Sequence, residues 1–224
     1  MKEEDRFTNF FYDARNDPSY NAKQLRGHYP GCADVLHRHF SGQTMLEVGG
    51  GMGWITKHLQ DYGEDCMGFD IGEHAVNNAV CNNYYHSDMM DCINWNRKWD
   101  LVFSINSMAY LEEEEVPIAL KSLKHVTGKT LFILLQTWQN FVIRSGYVPK
   151  KFKFDAKNVF GGFRRTIQTR DWWLERMFEV GFDLDWDLYK KIKFDNVGFP
   201  ASDFRGGGLG WRGLDSLFIM KAIK

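Results

Sequence analysis

The segment TMLEVGGGMGWITKHL, Thr44 to Leu59, places four glycines within five residues, between a short apolar run and a run with helical spacing. A strand that enters a tight glycine turn and leaves as a helix lets a ligand approach the backbone. The turn's amides and the helix N-terminus favour negative charge there. Two familiar glycine loops do not fit. A phosphate loop needs a Gly-Lys-Ser/Thr end, and at the one Gly-Lys-Thr, Gly128–Thr130, Leu123 stands where the first glycine belongs. A dinucleotide fingerprint needs a third glycine where Trp54 stands. The spacing is Glu47-x-Gly49-x-Gly51-x-Gly53.

The rest of the chain repeats the strand-helix rhythm. Strands are predicted at Thr44–Val48, Asp65–Asp70, Tyr84–Asp88, Trp99–Ile105 and Lys129–Gln136, the last an apolar run suited to burial on both faces. Helices are predicted at Trp54–Tyr62, Glu73–Cys81 and Glu112–Val126, with the carboxylates of Glu112–Glu115 at the positive end of the last. Alternation of this kind indicates crossovers and a parallel sheet. Residues 1–43 read as a helical N-terminal cap with breaks at Pro18 and Pro30–Gly31. A helix over Thr169–Val180 stops at Gly181. The stretches Phe182–Phe194 and Asp215–Ile223 read as two β segments with no helix between them, an antiparallel pair with a long connection.

Five segments in this order resemble the motifs of the class I S-adenosylmethionine-dependent methyltransferases. They are the glycine loop, Asp70 at the end of the second strand, SDMMD after the third, WDLVFSINSMAYLEE at the fourth, and RDWWLERMFEVGFDL with DSLFIMKAIK toward the end. The resemblance covers roughly residues 44–136 and 169–223. It implies a three-layer α/β/α Rossmann-like fold with a seven-stranded, mostly parallel sheet whose last strand is antiparallel. It also implies one domain over 1–224, with S-adenosylmethionine as cofactor and S-adenosylhomocysteine as product. Carried over residue by residue, it implies cofactor contacts from Glu47, Gly49, Gly51, Gly53, Asp70, Ile71, Asp88, Met89 and Asn106. Asp70 would take the ribose diol, which wants a carboxylate accepting two hydrogen bonds. Asp88 would face the adenine amino group beside Met89 and Met90, although capping a helix is its other use. Asn106 and the glycine amides would meet the methionine part.

The segments that the resemblance explains least are 137–168 and 195–214, which should flank the acceptor at the carboxyl edge of the sheet. The first carries seven basic residues, Arg144, Lys150, Lys151, Lys153, Lys157, Arg164 and Arg165, opposed by Asp155. Either they form a solvated face or they bind an anion. Trp138, Arg144, Tyr147, Arg164 and Trp211 are the candidate substrate residues. The Gly206–Gly208 and Gly210 cluster reads as a loop able to act as a lid. No general base stands out, and Tyr110 and His28 are the candidates. Tyr12, Tyr20 and Arg26 are expected to close over the cofactor.

Composition narrows the acceptor. The net charge of -1 argues against a general nucleic-acid coat. The fourth strand is followed by Asn106-Ser-Met-Ala and not by an Asp/Asn-Pro-Pro-aromatic segment, and no Pro-Cys nucleophile is present. These absences argue against methylation of DNA bases. Four cysteines without a Cys-x-x-Cys pair, and histidines without ligand spacing, predict no metal. An N-terminus without an apolar region and the lack of a long apolar span predict a cytoplasmic chain with no membrane contact. The sequence leads to methyl transfer to oxygen or nitrogen of a small, anionic metabolite. An RNA or protein methyltransferase using the basic 144–165 segment is the alternative, and a non-catalytic cofactor-binding module the third. It says nothing of oligomeric state.

Overall fold

The computed structural model describes residues 29–135, 137, 166–195 and 217–223. Helix α1 (Tyr29–Phe40) precedes strand β1 (Met45–Val48). There follow α2 (Trp54–Asp61), β2 (Cys66–Asp70), α3 (Glu73–Asn77), β3 (Tyr84–His86), β4 (Trp99–Ile105), α4 (Val116–Val126) and β5 (Thr127–Leu134). The chain resumes with α5 (Arg170–Glu179), β6 (Phe182–Leu184), α6 (Trp186–Asp195) and β7 (Leu217–Ala222). The strands form one seven-stranded sheet in the order β3-β2-β1-β4-β5-β7-β6. Strands β1 to β5 pair in parallel, and β7 runs antiparallel between β5 and β6.

Alternate residues of each strand point to opposite faces, and both faces are covered. On one, Leu46, Val48, Val102, Leu131, Ile133, Phe218 and Met220 pack with Leu120 and Leu123 of α4 and with Trp173 and Met177 of α5. On the other, Met45, Leu101, Phe103, Phe132 and Ile219 pack with Leu36 and Phe40 of α1, Ile55 and Leu59 of α2, and Tyr189 and Ile192 of α6. Burial from both sides is why the central strands read as near-continuous apolar runs.

Local chemistry corrects several sequence-based expectations. Pro30 and Gly31 do not break a helix. They lie in the first turn of α1, where proline's missing N–H is harmless. Glu112–Glu115 form a turn ahead of α4, with Glu115 Oε2 accepting from the Glu112 amide at 2.7 Å. Helix α3 ends at Asn77, short of the expected Cys81, because Asn78 leaves helical geometry and the Val80 amide donates to Met52 O at 3.0 Å. The largest correction is Phe182–Phe194. It is not a β segment: β6 spans three residues, and α6 then stands between β6 and β7.

At the end of the sheet away from the glycine turn, Glu64 fastens α1 to the turn before β2. Its carboxylate meets His37 Nδ1 at 2.5 Å and accepts from the Gly42 amide at 2.9 Å. Burial alone would raise its pKa, but the Ser41 hydroxyl, the Gly42 amide and His37 outweigh burial and hold it below the ordinary value. A carboxyl held low stabilises the folded state above the ordinary carboxylate range and loses that contribution as pH falls through it. Glu64→Gln is therefore expected to lower stability by about 1 kcal/mol at neutral pH, with the difference from wild type shrinking in acid. Urea denaturation across pH 3 to 7, about the span of carboxyl titration, would measure it.

Candidate functional site

The carboxyl ends of β1, β2 and β4 meet where the glycine turn lies. Gly49, Gly51 and Gly53 take φ values of 66°, 61° and 74°. The Gly49 and Gly50 amides donate to Phe69 O at 3.0 and 3.3 Å, so the turn folds back over the end of β2. A Cβ at Gly49 would lie 2.5 Å from Ser107 Cβ, and one at Gly53 would lie 2.4 Å from Cys81 Sγ. At both positions a left-handed backbone coincides with a close approach.

Asp70, 8% exposed, joins two loops. Its Oδ2 accepts from the Gly51 amide and its Oδ1 from the Gly72 amide, both at 2.8 Å. Burial pushes its pKa up, against the pull of the Gly72 and Gly51 amides and of His86. Each oxygen keeps further lone-pair capacity beyond the bond that it accepts.

Glu47 lies beneath the turn. It is 2% exposed, and its Oε2 accepts from both the amide and the hydroxyl of Thr56, at 3.1 and 2.6 Å. Helix α2 has Gly53 as its N-cap, with no side chain to cap it. The Glu47 carboxylate supplies that missing acceptor from the neighbouring strand. Burial, with the charge of Asp70 adding, pushes its pKa up to about 7.

The adenine-side candidates are also nearby. Met89 Cε lies 3.9 Å from where a Gly49 Cβ would stand. Asp88 Oδ1 accepts from the Met90 amide at 2.9 Å and so caps the 3-10 turn Met89–Asn94. Ile71 is exposed, and its carbonyl meets His86 Nε2 at 2.8 Å. Asn106 follows β4 directly at a φ of 62°, rare for a residue with a side chain. Its amide donates to Leu134 O at 2.7 Å, while its buried Oδ1 has no hydrogen-bond partner among the described residues. Tyr110 is half-buried in the 3-10 turn Met108–Tyr110.

The structure thus brings Glu47, Gly49, Gly51, Gly53, Asp70, Met89 and Asn106 to one edge. His28, Trp138, Arg144, Tyr147, Arg164 and Trp211 lie outside the described residues, as do Tyr12, Tyr20, Arg26 and the Gly206–Gly210 cluster. Sequence reading missed Thr56, Cys81, Ser104 and Ser107. Thr56 follows Gly53 by three residues, the spacing of an N-cap bond, which was a usable signal. The two serines span a strand end, where neither period of two nor period of 3.6 applies.

Among the described residues no group of three or more His, Cys, Asp or Glu is placed to hold a metal ion, and no helix is long and apolar enough to cross a membrane.

A family model described as a methyltransferase domain matches residues 22–183. No curated protein matches by sequence. Among solved structures, a TehB-like SAM-dependent methyltransferase from Corynebacterium glutamicum is 18% identical, with 96% of this chain and 98% of that chain covered and a TM-score of 0.61. A chain from the complex between the Haloferax volcanii Trm112 methyltransferase activator and the putative methyltransferase is 15% identical, covering 99% and 98%, with a TM-score of 0.61. The magnesium protoporphyrin IX methyltransferase ChlM from Synechocystis PCC 6803, with bound SAH, is 14% identical, covering 78% and 87%, with a TM-score of 0.57.

Two outcomes follow from the geometry. Gly53→Ala should be less stable than Gly42→Ala by about 1–3 kcal/mol in thermal denaturation. Both have positive φ, but a Cβ at Gly42 meets nothing within 4 Å. The second concerns Glu47, whose folded pKa of about 7 exceeds its ordinary 4.5. A carboxyl raised on folding lowers stability as pH climbs between those values, here by about 3 kcal/mol. Glu47→Gln keeps an acceptor without charge and should lack this slope, as read by chemical denaturation across the same range.

Proposed function

The chain belongs to the class I S-adenosylmethionine-dependent methyltransferases, and from that premise we propose that it methylates an oxygen or nitrogen of a small, anionic acceptor. S-adenosylmethionine is its cofactor and supplies an electrophilic methyl group on a sulfonium. The chain's own task is to hold that cofactor and align a nucleophile with the S–CH3 bond.

The residues present fit such a molecule. Asp70 has acceptor capacity to spare for two ribose hydroxyls, and its bonds to Gly51 and Gly72 hold it ready for them. The Oδ1 of Asn106, without a partner among the described residues, is an acceptor of the kind that the ammonium of the methionine part needs. The turn cannot carry a Cβ at Gly49, because Ser107 packs against that side of its backbone. Met89, Met90 and Asp88 would receive the adenine, and Ile71 would lie beside the ribose. Glu47 acts through Thr56 by holding the turn in place.

One observation carries the acceptor side. The segment that holds the seven basic residues leaves the sheet just after β5. It returns at Thr166, whose amide donates to Ala109 O at 3.2 Å and whose hydroxyl donates to Leu111 O at 2.7 Å. Both ends are thus fixed at the carboxyl edge, beside the turn that follows Asn106. Arg144 and Arg164 would neutralise the acceptor, with Trp138, Tyr147 and Trp211 as its walls. An acceptor oxygen that is already anionic needs no base, so this reading does not require Tyr110 or His28. The four free cysteines agree with a cytoplasmic setting.

Calorimetric titration tests the reading. S-adenosylmethionine and S-adenosylhomocysteine should bind with micromolar affinity and NADH should not. Asp70→Ala should weaken both by at least about tenfold, the effect of losing a charge-assisted pair of hydrogen bonds. Absence of binding would overturn the reading. A methyl-transfer screen should begin with anionic metabolites. Strongly salt-dependent RNA binding would instead favour the basic segment as an RNA-docking surface.

A further inference from the structure

We propose that Ser107, backed by Ser104, is a positioning residue that fixes the gap between the glycine turn and Asn106 and so sets affinity for the amino-acid end of the cofactor. The inference rests on the functional reading above and assigns a role to residues which that reading leaves unused. Strands β1 and β4 pair at Met45–Leu101, Leu46–Val102 and Glu47–Phe103, and there the ladder stops. They diverge at the point where the order of the sheet reverses, the place where open α/β sheets bind ligands.

One rung beyond the ladder, a side chain takes over. Ser107 Oγ donates to Val48 O at 3.0 Å, and Ser104 Oγ stands 2.5 Å from Ser107 Oγ. Ser104 is fully buried. The hydroxyl pair therefore ties the last residue of β1 to the end of β4 where no backbone pairing does. The contact has a second face. A Gly49 Cβ would fall 2.5 Å from Ser107 Cβ and 2.7 Å from its Oγ, so the first residue of the turn rests directly on this serine. On its other side Ser107 adjoins Asn106, held at positive φ with its Oδ1 unpartnered among the described residues. Ser107 is the spacer between the two groups that would receive the cofactor's amino-acid end. Losing its hydroxyl would leave Val48 O without this donor and free the strand ends to part. Besides the Gly51 amide of the turn, the ribose candidate Asp70 has the Gly72 amide outside it, and the adenine candidates are held by the turn at Met89, so they should feel the change less.

Calorimetry with three probes separates this role from a general structural one. S-adenosylmethionine and S-adenosylhomocysteine carry the amino-acid end, and 5′-methylthioadenosine lacks it. Ser107→Ala should weaken the first two about five- to tenfold, the range of one buried hydrogen bond, and leave 5′-methylthioadenosine within about twofold. Ser104→Ala should act in the same direction and more weakly, and it carries the comparison if Ser107→Ala fails to fold. Equal loss for all three probes, or no loss for any, would overturn the proposal. A wild-type chain that binds none of them would overturn the functional reading itself, which is a different outcome from a selective pattern absent only in the variants.

Discussion

The Asp70 carboxylate joins the loop after β1 to the loop after β2. One oxygen accepts from Gly51 in the loop after β1, and the other from Gly72 in the loop after β2. A group with two acceptor oxygens can serve two chains, and a strand end is where it can reach both. The bonds stabilise the ionised carboxyl, while burial opposes it and prevails in the net direction of its pKa. The Gly51 and Gly72 amides thus hold Asp70 in one orientation. A ligand carrying two hydroxyls would provide further donors.

Glu47 follows the same logic one layer deeper. A buried carboxyl is unfavourable when ionised, and here it replaces the cap that Gly53 cannot offer. Gly53 in turn is required by the Cys81 thiol and the Tyr84 ring packed against it. The turn needs glycine for shape, glycine leaves helix α2 uncapped, and the acid on β1 makes good the loss through Thr56. A tight turn, a missing cap and a buried acid are therefore one solution to one constraint.

The sheet supplies the geometry for both. Strand order reverses between β2-β1 and β4-β5, the place where open α/β sheets bind ligands, and the serine pair ties the ends of β1 and β4 there. The segment between β5 and α5 is moored at that same edge through Thr166.

The sequence by itself determined the strand-helix alternation, the glycine turn and the acid at the end of β2, because each is local: a period, a φ requirement, a residue type at a strand end. It did not determine α6. FDLDWDL alternates apolar and polar residues as a half-buried strand does, but Asp185 Oδ1 accepts from the Leu188 amide at 3.0 Å and so caps a helix, whose Tyr189 and Ile192 pack with the α1 residues. It offered the cap at Asp88, which the structure shows, but it did not disclose that Ser107 bonds Val48 across 59 positions. Such contacts depend on where two strands end relative to each other. That distance is set by the register of the whole sheet and by no window of neighbouring residues.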